Sequence, residues 1–144
     1  MVDFTEVIIP VDGSEGANRA AKFGAKLAAA TQCPVKLMFV MPASSSILMS
    51  MSKLPADEVK RIEHDAAQDA MAKARQVMGE LGTQAEEMVA IGDPAEEIIN
   101  YVDHHPDTLV IMGRRGLSRI QSLLVGSVSE KVMRHARGAV TLVN

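Results

Sequence analysis

Short apolar runs alternate with longer amphipathic stretches from one end of this chain to the other. Residues 7–11 (Val-Ile-Ile-Pro-Val), 35–40 and 109–112 are apolar without a polar alternation, the pattern of strands buried on both faces. Residues 85–91 and 139–143 complete a set of five predicted strands. Between the first two, Ser14 stands as the cap of a helix over residues 15–30, whose small residues Ala17, Ala21, Gly24 and Ala28 let it lie close on a sheet. Residues 57–81 carry Val59, Ile62, Ala66, Ala70, Ala74, Val77 and Leu81 at spacings of three and four, a long amphipathic helix that Gly82 ends. Asp93-Pro94-Ala95-Glu96 combines a cap, a proline at the first helical position and a carboxylate at the third, opening a helix to about His104. A fourth helix starts at Ser127, with Glu130 closing a capping box, and runs to Ala136.

Five strands alternating with four helices predict an α/β fold: one domain over residues 1–144, with an open, mostly parallel, twisted five-stranded sheet and helices on both faces, Rossmann-like. With the first strand central the strand order is 3-2-1-4-5. The crevice that accepts ligands in such sheets then lies between the carboxyl ends of strands one and four, and Asp12 and Gly113 would both face it. Asp12 can accept from a ligand hydroxyl there or simply nucleate the turn to Ser14.

The stretch MGRRGLSRIQSLLVGSVSEK, residues 112–131, joins a strand end to a helix start through Gly113, Gly116 and Gly126. Unpaired N–H groups at a helix start favour an anion, and glycines let backbone approach a pyrophosphate closely or adopt positive φ. The same glycines also suit plain turns. Charge separates the readings. Residues 113–137 hold six basic residues against Glu130 alone, net +5, whereas the rest of the chain holds nine bases and seventeen acids, net −8. A local positive field on an acidic chain suits a small anion such as a phosphate; a nucleic acid selects a basic domain, and none is expected as a partner.

Composition narrows the reading further. Cys33 is the single cysteine, which excludes an internal disulfide framework and a multi-cysteine zinc site. The first ten residues lack the pattern of a secretory signal, and no run approaches the roughly 18 apolar residues of a spanning helix, so a cytoplasmic protein without membrane partners is expected. His104 and His105 are adjacent and point apart, a poor start for a metal site, and fit a helix C-terminus better. Ten methionines and no tryptophan make base stacking on aromatics a poor prospect. The Met- and Ser-rich residues 41–54 read as a long loop, either a lid or partner surface or an irregular helix on the core.

Four segments together resemble the universal stress protein family over essentially the whole length. They are Ile9-Pro10-Val11-Asp12-Gly13-Ser14, Gly92-Asp93-Pro94-Ala95-Glu96-Glu97-Ile98, Met112-Gly113-Arg114-Arg115-Gly116-Leu117-Ser118 and Gly126-Ser127-Val128-Ser129-Glu130-Lys131-Val132. The last two form the spacing G-x2-G-x9-G-[ST], which in that family marks the ATP-binding branch. The resemblance implies ATP, with Mg²⁺, as ligand. Pro10, Val11 and Asp12 would line the adenosine end, and the Val40 backbone would read the adenine. Met112, Gly113, Arg115 and Gly116 would meet the phosphoribosyl part; Gly126, Ser127, Val128 and Ser129 would hold the phosphates. It also implies a homodimer through the last strand. Phe39 departs from the pattern, where a histidine commonly stands, and Glu130 would repel phosphates unless turned away.

No Walker lysine motif, Ser-His-Asp arrangement or placed general base occurs, so a nucleotide-responsive stress-response module is expected rather than a fast enzyme, with slow ATP hydrolysis compatible. A dimeric interaction protein with a vestigial pocket and unidentified protein partners is the alternative. A binder of AMP, cyclic AMP or another adenine ligand is a third.

Overall fold

In the computed structural model, residues 4–42, 52–116 and 125–144 are described. The expected loop at 41–54 and the middle of the glycine stretch, with Arg119, fall largely outside them. Five strands form one sheet: β1 (Glu6–Pro10), β2 (Val35–Pro42), β3 (Glu86–Gly92), β4 (Thr108–Gly113) and β5 (Ala139–Val143). All neighbours are parallel, in the order β3-β2-β1-β4-β5, so the first strand is central as expected. Helices α1 (Glu15–Thr31), α2 (Ala56–Met78), α3 (Leu81–Gln84), α4 (Pro94–His104) and α5 (Ser127–His135) connect or flank the strands.

Alternation along each strand divides the core into two layers. Val7 and Ile9, with Leu37, Phe39, Leu109 and Ile111, pack under α1 and α2. Ile8, Met38, Val110 and Met112 pack on the other face with Ile98, Val102 and Val132 from α4 and α5. The central strands are buried on both sides, which is why β1 and β4 read as unbroken apolar runs. The small face of α1 does what its composition suggests. A β-carbon at Gly24 would meet Ile9 Cδ1 at 2.5 Å, so the helix lies against the sheet without a gap.

The long helix departs from expectation at its end. It stops at Met78 because Gly79 takes φ +67°, and Leu81 belongs instead to the one-turn α3, from which it still packs on the core. The apolar spacing runs straight across this break. Arg75 holds the turn together, donating to the Gly82 and Ala85 carbonyls and to Glu87 on β3 at 2.9 Å.

At the amino ends of the strands a polar cluster ties three strands to α4. Tyr101 and Thr108 donate to Glu6 Oε1 at 2.7 and 2.8 Å, and Lys36 donates to the Tyr101 hydroxyl at 2.8 Å. Burial alone would raise the Glu6 carboxyl, but the two hydroxyls and the Lys36 charge outweigh it and hold the group below its ordinary value. The bond to Tyr101 raises Lys36, and burial raises the Tyr101 phenol. His105 stacks on the Tyr101 ring at 4.2 Å, and its Nδ1 meets the Tyr101 carbonyl at 2.9 Å, the helix-end role expected of it.

Candidate functional site at the carboxyl ends of β1 and β4

Pairing of Ile8 with Val110 and of Pro10 with Met38 sets the level of everything above the sheet. Past the end of β1, the Val11 N–H donates to the Met38 carbonyl at 2.8 Å, which keeps the chain beside β2 as it enters the turn. β1 ends in a turn that Asp12 nucleates, its Oδ1 accepting from the Ser14 N–H at 2.9 Å while Gly13 takes φ +86°. Ser14 Oγ then accepts from Ala17 N–H at 3.1 Å and caps α1. The turn role of Asp12 is therefore real, and it occupies one carboxylate oxygen. Oδ2 points across the crevice, where a β-carbon on Gly116 would stand 2.6 Å from it.

Of the three glycines of the loop, Gly113 and Gly116 act through the close approach that the sequence suggests, and none of the three adopts the left-handed region. A β-carbon on Gly113 would lie 2.6 to 3.0 Å from the carbonyl carbon, oxygen and Cα of Gly16, and one on Gly16 would lie 2.4 Å from the Arg115 carbonyl oxygen. Gly113 and Gly16 thus let the end of β4 pass against the first turn of α1. Gly16 was not singled out in the sequence, although a glycine two residues after the capping serine is its signal. Gly126 is less constrained, with the nearest atom to its would-be β-carbon at 3.4 Å.

The capping box expected at α5 does not form. Gly126 is the cap, pinned by its N–H to the Arg114 carbonyl at 2.8 Å, so the helix begins at Ser127 and its hydroxyl cannot serve as the cap. Glu130 turns away to Arg134 at 2.8 Å, which removes the expected clash with an anion. Ser129, 3% exposed, donates its hydroxyl to the Gly113 carbonyl at 2.8 Å and staples α5 to the end of β4. Its hydroxyl proton is thereby committed inside the protein. With no side-chain cap, the first-turn N–H groups of Ser127, Val128 and Ser129 have no partner among the described residues.

The expected site residues therefore converge, with a division of labour. Val11 and Met112 are buried in the core, and Val40 and Val128 pack against it, so these four offer backbone to the crevice. Asp12, Gly116 and Ser127 are exposed there, and Pro10, Arg115 and Gly126 are half-buried. Lys131 reaches from α5 to Glu96 at 3.2 Å and to the cap residue Asp93 at 3.6 Å, and the two carboxylates raise its ionisation, the bond to Glu96 foremost. No spacing in the sequence signalled that contact. Among the described residues no group of three or more His, Cys, Asp or Glu stands where it could hold a metal ion, and no helix is long and apolar enough to cross a membrane.

Comparison with known proteins gives the same architecture throughout. The chain is 27% identical over 146 residues to universal stress protein YxiE of Bacillus subtilis (strain 168), covering 97% of this chain and 99% of that one. Universal stress protein UspA from Lactobacillus plantarum superposes with a TM-score of 0.82 at 24% identity, over 99% of both chains. The universal stress protein from Archaeoglobus fulgidus in complex with dAMP superposes with a TM-score of 0.66 at 19% identity, over the full length of both. The model of the universal stress protein family matches residues 3–144, and with the sheet order and the crevice in place, the chain belongs to that family.

Proposed function

We propose that this protein is an adenine-nucleotide-binding module that takes ATP with Mg²⁺ at the carboxyl ends of β1 and β4 and responds to it rather than turning it over rapidly. The observation that carries the reading is the first turn of α5, whose Ser127, Val128 and Ser129 N–H groups have no partner among the described residues and stand beside the glycine loop, because the Gly126 N–H is held by the Arg114 carbonyl. The residues present fit the group. The absence of a side chain at Gly116 spares a contact with Asp12 Oδ2, which has no hydrogen-bond partner among the described residues and can accept from a ribose hydroxyl. Val40, two residues beyond the Met38 carbonyl that the Val11 N–H meets, offers backbone for an adenine edge, and Arg114 and Arg115 supply positive charge for more than one phosphate. Glu130, drawn off by Arg134, does not oppose it. Mg²⁺ would accompany the nucleotide and neutralise its phosphates.

The module acts in the cytoplasm as a homodimer joined along the outer edge of β5. That strand ends the sheet, and Phe23 and Met133, 43% and 49% exposed, lie on the helices of its two faces. A nucleoside monophosphate is the second reading, favoured by the dAMP bound to the Archaeoglobus fulgidus protein.

Calorimetric titration of nucleotide-stripped protein with ATP, ADP and AMP, each with and without Mg²⁺, tests the proposal beside a Gly126→Val variant. Saturable ATP binding that the variant abolishes is the expected result. AMP binding as tightly as ATP would replace it with the monophosphate reading, and no binding by any of the three would refute both.

A further inference from the structure

Opposite β5 the sheet ends at β3, whose outer edge pairs with no other strand among the described residues. Exposed strand edges are normally guarded by proline, lysine or a covering element. Within β3 the only charged residues are Glu86 and Glu87 at its start, already met by Lys36 at 3.8 Å and Arg75 at 2.9 Å. The remainder, Met-Val-Ala-Ile-Gly, is unguarded. Register decides what lies on each face. Val89 and Ile91 pair with Phe39 and Met41 and so share the face of α1 and α2, yet they are 51% and 52% exposed. Met88 pairs with Met38 on the other face, where it floors an open groove of about 250 Å³ along α4, with Glu97, Asn100, Tyr101, His104 and His105. Glu97 has no ion-pair partner among the described residues.

We propose that the outer edge of β3 is a docking site for an extended segment of a protein partner in which apolar residues alternate with lysine or arginine. A strand laid beside β3 sends successive side chains to opposite faces. One set covers Val89 and Ile91 and is best apolar. The other enters the groove, where a long basic side chain can lay its methylenes on Met88 and bring its charge to Glu97. Charge favours a basic partner over a second copy pairing edge to edge. Residues 85–107 hold seven acids and no lysine or arginine; Lys36, Arg75 and Lys131 meet four of them and leave Glu97, Asp103 and Asp107 without an ion-pair partner among the described residues, so two such edges carry like net charge and repel. The site lies at the opposite edge from β5 and does not depend on the nucleotide reading.

The test uses two labelled probe peptides, one alternating valine with lysine and one alternating valine with glutamate, followed by fluorescence anisotropy and by amide chemical shifts of the full chain. The lysine peptide should bind saturably and at least about tenfold more tightly than the glutamate peptide, equivalent to roughly 1.4 kcal/mol. Its shifts should fall on residues 86–92 and 97–105. Ile91→Lys and Glu97→Lys should each weaken it several-fold without moving the thermal midpoint, since both residues reach the surface. Equal binding of the two peptides, or shifts elsewhere, overturns the proposal. Sedimentation showing an oligomer that Ile91→Lys dissociates also overturns it, because the occupant would then be a second copy.

Discussion

Replacing Gly113 with alanine tests whether the first glycine of the loop is required by the fold. Its added β-carbon would sit 2.6 Å from the Gly16 carbonyl carbon, 2.7 Å from the oxygen and 3.0 Å from Cα. All three are backbone atoms at the start of α1, so no side chain can swing away, and either β4 or the first turn of α1 must move. Overpacking of this kind costs about 1–3 kcal/mol. At about 3–4 °C per kcal/mol for a chain of this size, the melting midpoint should fall by roughly 3–12 °C. Gly126→Ser is the matched control. Its β-carbon would find no atom of the described residues closer than 3.4 Å, and φ −69° suits serine at a cap, so its stability should stay within about 0.5 kcal/mol of the parent or rise. Urea unfolding followed by circular dichroism reads both variants, with unchanged slopes confirming that the comparison is between like states. An alanine at 113 that leaves the midpoint unmoved, or a serine at 126 that lowers it as far, would refute the close-approach argument.

Ser129→Ala should cost about 1–3 kcal/mol, because it leaves the Gly113 carbonyl without its buried donor, and thermal unfolding reads the loss directly. The Glu6 cluster predicts both limbs of the pH profile. Glu6 lies below its ordinary 4.5 in the folded state, so its contribution is fully present above that value and is lost as pH falls through the lower folded value. Lys36 and Tyr101 lie above 10.5 and 10.0, so theirs is present below about pH 10 and is lost as pH rises through the folded values. Urea midpoints across pH should therefore show an acid limb that Glu6→Gln flattens; an unchanged limb would exclude Glu6 as its source.

The features legible in the sequence were those set by near neighbours. Apolar runs marked the strands because burial on both faces leaves no place for polar residues. Ser14 and Asp93 were recognisable caps because the N–H groups they accept from lie three residues on, and Asp12 was recognisable as a turn former for the same reason. Strand alternation with helices, and the family segments, gave the order of the sheet and the place of its crevice.

Contacts between distant segments were decided only by the tertiary structure. Periodicity through Leu81 hid the break at Gly79, since a helix and a turn can present apolar residues to the same core. The capping box at Ser127 was a sound local expectation, overruled because the Gly126 N–H is held by the Arg114 carbonyl at the end of β4. Gly113 against Gly16, Ser129 against Gly113 and Lys131 across to Asp93 and Glu96 likewise join residues from different elements. The chain's own pattern determined which elements form and which strand ends meet at the crevice. Packing alone decided which glycines are spent on backbone contact, which hydroxyls are consumed inside the protein and which helix-start N–H groups have no partner among the described residues, because a hydrogen bond or a van der Waals contact depends on separations of a few tenths of an ångström that spacing along a chain does not encode.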